Sequence, residues 1–168
     1  MKSIQVSTQR LKLAPWTQDL AEDFFELSLD PGFTLFPITP YRQQSIESAQ
    51  EWIKKNTGKC AVFEIQTGEL IGLGGLTHWQ FNDESLVDIT YRLRESAWGR
   101  GLGLELAEAL LKYGFEELNY ELITATITPD NLASKRIAAK LSFVFDQRII
   151  LLGVSTDLYR LSRANYLK

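Results

Sequence analysis

The sequence predicts a mixed α/β domain, and three observations carry that prediction. Apolar residues alternate along several short runs, the mark of half-buried strands. Between those runs lie stretches whose apolar residues recur three and four apart, the mark of helices lying on a sheet. The longest such stretch, Leu104 to Leu118, opens directly from a glycine-rich turn, Trp98-Gly99-Arg100-Gly101-Leu102-Gly103. The 168 residues fit one domain spanning 1–168, with no internal repeat and no low-complexity tract.

Leu11-Lys12-Leu13 alternates and gives a first strand, ended by Pro15. Thr17 is placed to cap a helix over Asp19 to Leu29, where Leu20, Phe24 and Leu27 keep helical spacing, and Asp30-Pro31-Gly32 stops it. Phe33 to Tyr41 sets Pro37 and Pro40 among Phe33, Leu35, Phe36 and Ile38. It is too apolar for a free linker and reads either as a lid over a site or as a loop pinned to the core. A second helix runs from about Gln43 to Asn56 with Ile46, Ala49, Trp52 and Ile53 inward, and Gly58 ends it. Cys60 to Gln66 and Leu70 to His78 form a hairpin across Thr67-Gly68-Glu69.

After a turn at Phe81 to Glu84, Leu86 to Leu93 alternates: Val87, Ile89, Tyr91 and Leu93 face one way, Asp88, Thr90 and Arg92 the other. The helix after the glycine turn carries Leu104, Ala107, Leu111, Phe115 and Leu118 on one stripe and Glu105, Glu108, Lys112 and Glu116 on another. Leu122 to Thr128 is β-branched and strand-like, and Pro129-Asp130 breaks it. A short helix from Asn131 to Lys140 follows, and Phe143 to Leu152 and Val154 to Arg163 close the chain as two strands joined near Gly153.

Composition narrows the function. A net charge of −3 provides no global basic field for nucleic acid. Cys60 is the single cysteine, so no internal disulfide forms, and its apolar run Cys60-Ala61-Val62-Phe63 points to a buried thiol. One cysteine and one histidine argue against a zinc site, and no metal is expected. Met1-Lys2 leads into polar residues without a signal peptide, and no apolar run spans a bilayer. A cytoplasmic location with no membrane partner is therefore expected.

A glycine turn that opens a helix exposes unpaired N–H groups at the positive end of the helix dipole, which suits phosphates. Leu104-Glu105 stands where a Walker loop needs Lys-Ser or Lys-Thr, and the glycine spacing fails the dinucleotide fingerprint. What remains is a pyrophosphate cradle of the kind used for coenzyme A, or a plain tight turn.

Further residues carry a resemblance. The glycine turn resembles the pyrophosphate motif Gln/Arg-x-x-Gly-x-Gly/Ala of the GNAT superfamily of N-acetyltransferases, with Trp98 at the first position. Asn131-Leu132-Ala133-Ser134 and Lys140-Leu141-Ser142-Phe143 resemble the Asn-x-x-Ser and Lys-x-Gly-Phe signature of its ribosomal-protein N-terminal acetyltransferase branch. Thr8 to Leu13 and Tyr159-Arg160-Leu161 resemble that branch's opening and closing strands. Ser142 replaces the usual glycine, Asp88-Ile89-Thr90-Tyr91 stands where Glu-Ile-Gly-Tyr is common, and Ala14 stands where an arginine is common. The fold implied is a mixed, mostly antiparallel seven-stranded sheet flanked by about four helices and splayed between its fourth and fifth strands.

The resemblance implies acetyl transfer from acetyl-CoA to a primary amine by direct attack in a ternary complex. It assigns the pyrophosphate to Trp98, Gly99, Arg100, Gly101, Leu102 and Gly103, with Arg100 adding charge. The pantetheine arm pairs with Tyr91-Arg92-Leu93 and meets Asn131, and a backbone N–H near Tyr91 stabilises the thioester oxygen. Ser134 protonates the leaving thiolate. Asp88 is the first candidate base and His78 the second; an α-amine titrating at about 7.7–8.0 needs only a weak one. Each has a plainer reading: Ser134 as a helix-start serine, Asn131 as an N-cap, Arg100 as a solvated cation, Asp88 and His78 as strand residues held by neighbours.

Three functions follow: acetylation of a protein or peptide α-amine, above all a ribosomal protein's; acetylation of a small amine such as a polyamine, antibiotic or amino acid; and coenzyme A binding without catalysis. A polyamine pocket would draw on Asp19, Glu22, Asp23, Glu26 and Glu47 of the first two helices, which otherwise form solvated faces. Either a monomer or a homodimer is compatible with the sequence.

Overall fold

The strand and helix patterns fold into one eight-stranded sheet with helices on both faces. The computed structural model describes residues 5–36, 38, 40–56 and 58–168. Along the chain run β1 (Val6–Ser7), β2 (Leu11–Pro15), α1 (Ala21–Ser28), α2 (Pro31–Thr34), α3 (Ile46–Lys55), β3 (Lys59–Glu64), β4 (Leu70–Phe81) and β5 (Glu84–Leu93). Then come α4 (Leu102–Lys112), β6 (Leu122–Ile127), α5 (Leu132–Lys140), β7 (Val144–Leu151), β8 (Val154–Ser162) and α6 (Arg163–Tyr166). The sheet order is β1-β2-β3-β4-β5-β6-β8-β7.

All neighbouring strands are antiparallel except β5 and β6. A parallel pair needs a crossover, and α4 supplies it. The β4–β5 ladder runs from Glu84 to Leu93, but β5 and β6 bridge only at Asp88 and Thr124. Past that bridge the two strands part, which places the splay where it was expected. The expected seven strands become eight because the two-residue β1 pairs with β2.

Strand alternation sorts the core into two layers. Cys60 and Val62 of β3 join the cluster that α4 covers with Leu102, Leu106 and Leu110, whereas Ala61 between them joins the cluster beneath α1 and α3. There Phe24, Leu27, Ala49 and Ile53 are buried. Each such Leu or Phe contributes about 1.5–3 kcal/mol by leaving water.

Several boundaries differ from the sequence reading. Thr17 makes no side-chain cap; it precedes a 3-10 turn, Gln18–Leu20, and α1 starts after it. The second helix starts at Ile46, because Ser45 and Ser48 close a reciprocal capping box. The third starts at Leu102 and passes into a π-helical turn at Tyr113–Glu117, where Gly114 packs so tightly on Ile123 and Leu76 that a Cβ would lie 2.7 and 2.9 Å from them. Ile46, read as inward, is exposed, and so is Leu132 at the start of α5. The Phe33–Tyr41 stretch begins with the last two residues of α2, and its Pro37 and Thr39 lie outside the described residues.

Helix α5 ends in a left-handed turn at Ser142, φ +64°, closed by Ser142 N–H to Ala139 O (3.2 Å) and Phe143 N–H to Ala138 O (3.0 Å). This is the Schellman arrangement that usually takes glycine. The turn therefore keeps the geometry of the glycine that Ser142 replaces, at a cost of about 1–2 kcal/mol for a residue with a Cβ. Ser142→Gly is expected to stabilise the protein by about 1 kcal/mol, a rise in Tm of about 2–4 °C for a chain of this size, measured by scanning calorimetry.

Candidate active site

Gly99 and Gly101 take φ of +72° and +78°, values glycine adopts without strain. The turn delivers the chain into α4, whose first ladder bond is Glu105 N–H to Gly101 O at 3.2 Å. The N–H groups of Leu102, Gly103 and Leu104 therefore have no partner inside the helix, and no side chain caps it. A Cβ at Gly99 would meet nothing within 4 Å, so that face of the turn is open.

The turn is held from behind by residues that sequence reasoning missed. Arg10 donates from Nη1 to Arg100 O (2.8 Å) and from Nε to Glu105 Oε2 (2.6 Å). Glu105 also accepts from the Arg10 N–H (2.9 Å) and Thr8 Oγ1 (2.5 Å). Burial raises the Glu105 pKa, but the bonds from Thr8 and Arg10 outweigh it and hold the carboxyl below its ordinary value. Glu105 looked like part of a solvated stripe; Thr8-Gln9-Arg10, quoted only as an opening signature, was the available signal.

Two expected phosphate contacts take other partners. The Arg100 guanidinium pairs with Glu64 and lies outside the groove described next, because the nearly buried Glu64 carboxylate claims it. Trp98 donates from Nε1 to Leu93 O at 3.0 Å, and its ring lies so close to Gly32 of α2 that a Cβ there would come within 2.9 Å of it.

A groove of about 680 Å³ runs from the glycine turn along the open edge of β5. It is lined by Tyr91, Arg92, Leu93, Trp98, Gly99, Gly101, Leu102, Gly103, Asn131 and Ser134, with Leu132, Arg136 and Lys140 of α5 on its far wall. Ten residues singled out from the sequence thus line one groove, and the exposed Leu132 has a place there. The unpaired N–H groups and the two α5 cations suit a pyrophosphate, and the β5 edge past Asp88 has no strand partner among the described residues.

A second cavity of about 220 Å³ lies in the splay itself. It shares Phe36, Tyr91, Arg92, Asn131 and Ser134 with the groove, so the two spaces meet at that wall. Asp88 lies within it. Its Oδ1 accepts from Thr124 Oγ1 and its Oδ2 from Thr126 Oγ1, both at 2.8 Å. Burial pushes the Asp88 pKa up to about 7 against the opposing pull of these bonds. Thr124 has one hydroxyl proton and two acceptors within reach, Asp88 Oδ1 and Val87 O (3.1 Å). It can serve the carboxylate when Asp88 is ionised and the carbonyl when it is protonated. Thr77, opposite Asp88 in the β4–β5 register, and Thr128 also line the cavity; both have buried hydroxyls without a partner among the described residues. The alternation of Thr124 and Thr126 in β6 with Thr128 just past its end was the sequence signal for this side of the splay.

His78 is a correction. It neighbours Thr77 in β4 and so projects to the opposite face, where Nε2 lies 3.1 Å from Tyr120 OH; it does not line the cavity. Asn131 caps α5, its Oδ1 accepting from Ser134 N–H at 3.1 Å. The Ser134 hydroxyl has no hydrogen bond among the described residues. Tyr91 OH reaches Ser134 O at 3.5 Å, and burial pushes its pKa up to about 12. The Arg92 guanidinium, on the wall shared by groove and cavity, donates to the carbonyls of Phe33, Leu35 and Phe36. Among the described residues no cluster of His, Cys, Asp and Glu could hold a metal, and no helix is long and apolar enough to cross a membrane.

The solved acetyltransferase of the GNAT family from Bacillus anthracis superposes with a TM-score of 0.80 at 21% identity, covering 96% of this chain and 99% of that one. The ribosomal-protein-S5-alanine acetyltransferase of Vibrio fischeri (TM-score 0.77, 15% identity, 97% and 98% covered) has the same fold. So does a spermidine/spermine N-acetyltransferase mutant of Vibrio cholerae (0.72, 16%, 95% and 98%). Among sequences, an N-acetyltransferase of Bacillus licheniformis is 27% identical over 145 residues, 81% of this chain and 80% of that one. A Bacillus subtilis protein is 34% identical over 84 residues, about half of each chain at 50% and 49%. Residues 10–144 match the acetyltransferase (GNAT) domain family, and with most of the chain inside that match, the chain belongs to this family of acetyl-CoA-dependent acyltransferases.

Proposed function

We propose that the protein acetylates a primary α-amine of a peptide or protein, with the amine held in the smaller cavity. The observation that carries this reading is the meeting of groove and cavity at Tyr91 and Ser134, with Asp88 on the cavity side. Acetyl-CoA bound in the groove supplies the acetyl group. Asp88, titrating near 7, is matched to an α-amine of about 7.7–8.0 and can take its proton at neutral pH. The unpartnered hydroxyls of Thr77 and Thr128 offer the amine and its neighbouring groups further bonds. The Ser134 hydroxyl, free of internal partners among the described residues, can donate to a departing thiolate.

The acceptor follows from charge. Among the described residues lining the cavity, Asp88 is the only carboxylate, and Lys59 and Arg92 are cations. Asp19, Glu22, Asp23, Glu26 and Glu47 do not line it. A polycation would bring several positive charges to two cations and a single carboxyl, whereas a lone α-amine needs only the one carboxyl that takes its proton. The ribosomal-protein and polyamine enzymes share the fold at 15% and 16% identity, so the cavity's chemistry is what supports the peptide reading. A turnover screen with acetyl-CoA, read by mass spectrometry, is expected to find acetylated peptide N-termini and little acetylated spermidine; the reverse preference would overturn it.

Asp88→Asn is expected to lower kcat/KM by about 10²–10⁴ and to remove an acidic limb that the wild-type rate shows below about pH 7. The folded-state pKa lies above the unfolded value of about 3.9. The folded protein therefore holds this proton more tightly than the unfolded chain. That contribution to stability is present below about pH 4 and lost as pH rises to about 7. Wild-type Tm should accordingly decline across that window relative to the Asn variant. Ser134→Ala is expected to lower kcat and kcat/KM together by about 10²-fold or more, with coenzyme affinity and Tm nearly unchanged; steady-state kinetics beside calorimetry check it.

A further inference from the structure

Arg92 is a half-buried cation without a carboxylate partner among the described residues. Its side chain leaves β5 one residue past Tyr91 and meets the end of α2. Nη1 donates to Phe33 O (2.7 Å) and Leu35 O (2.6 Å), and Nη2 to Phe36 O (3.1 Å). These carbonyls lie at and just past the C-terminus of a four-residue helix, where the backbone has no helical partners. The guanidinium lies over the Tyr41 ring, 4.9 Å from its centroid, and Tyr41 packs edge-on against Phe33 at 5.8 Å. Burial lowers the Arg92 pKa, so charge is kept here against desolvation.

The segment so held carries a second oddity. Phe36 has φ of +58°, a left-handed backbone that a bulky residue rarely adopts. Phe36 is part of the wall shared by groove and cavity. A bulky residue held in a strained backbone where the two spaces meet limits what fits in a cavity of about 220 Å³.

We infer that Arg92 is a positioning residue for acceptor selection. Its fork of donors fixes the end of α2 so that Phe36 closes the cavity against amines whose neighbouring carbon bears a large side chain. The inference rests on the reading of that cavity as the acceptor site. Lysine cannot reproduce it, because one ammonium cannot span three carbonyls as a planar fork does.

Two variants and two readouts test this. Arg92→Lys in the protein without ligands should speed amide hydrogen exchange in the segment around Leu35 and Phe36. It should also shrink the preference, in kcat/KM, for a peptide beginning with alanine over one beginning with leucine by about tenfold, the scale of one charge-assisted bond. Phe36→Ala should relax the same preference without touching Arg92. Coenzyme A affinity, measured by calorimetric titration, should change by less than the preference does in both. Unchanged exchange in Arg92→Lys overturns the clamp. Unchanged preference in both variants, or coenzyme A affinity falling in step with preference, overturns the role in selection. A wild-type protein inactive on every peptide overturns the acceptor reading and the selection role with it, and the exchange readout tells that failure from a clamp that does not hold.

Discussion

The carboxyl group of Asp88 sits at the last bridge between the two halves of the sheet, where β5 and β6 make their single pairing before parting. Its two oxygens take the hydroxyls of Thr124 and Thr126, so one group from β5 binds two successive inward positions of β6. The Trp79 indole N–H adds a third tie to Thr124 at 3.3 Å. The same burial that lets this group act as a structural tie lifts its pKa toward neutrality, which is what a proton acceptor for an α-amine requires. Fold and the proposed chemistry therefore draw on one desolvated carboxyl, and the cleft begins where its reach ends.

The fold was largely legible because its signals are local. Alternation in Leu86 to Leu93, the Asn131 cap and the Gly99 and Gly101 turn all specify backbone geometry over a few residues, and the structure bears each out. The residues gathered around the groove were legible for the same reason, since the turn, β5 and the start of α5 each carry them in sequence. What stayed hidden depends on distant partners. Whether Arg100 meets a phosphate or Glu64 turns on a carboxylate 36 residues away. His78 and Thr77 differ by one position in a strand, and only the register with β5 decides which faces Asp88. Nothing local to Arg92 shows where its guanidinium goes, because its partners are carbonyls at the end of α2 more than fifty residues away.

The glycine turn shows how a flexible sequence becomes a fixed cradle. Glycine there confers access, not order. Order comes from Arg10, which bonds the Arg100 carbonyl, and from Glu105, which holds Arg10 and Thr8. Trp98 joins the turn to Leu93 on one side and to α2 on the other. The groove and the wall it shares with the cavity are thus held in one frame by side chains outside the glycines themselves.

Cys60 lies in the interior of β3, 1% exposed, with its Sγ–H donating to Gly74 O at 3.1 Å. Burial pushes its pKa up to about 12. A thiol so placed carries almost no thiolate at working pH and offers no path to a bulky electrophile. The folded protein is therefore silent toward reagents that colour free thiols. Every coenzyme A molecule liberated in turnover can be counted continuously by such a reagent, with no blank from the catalyst and no loss of catalyst to the dye.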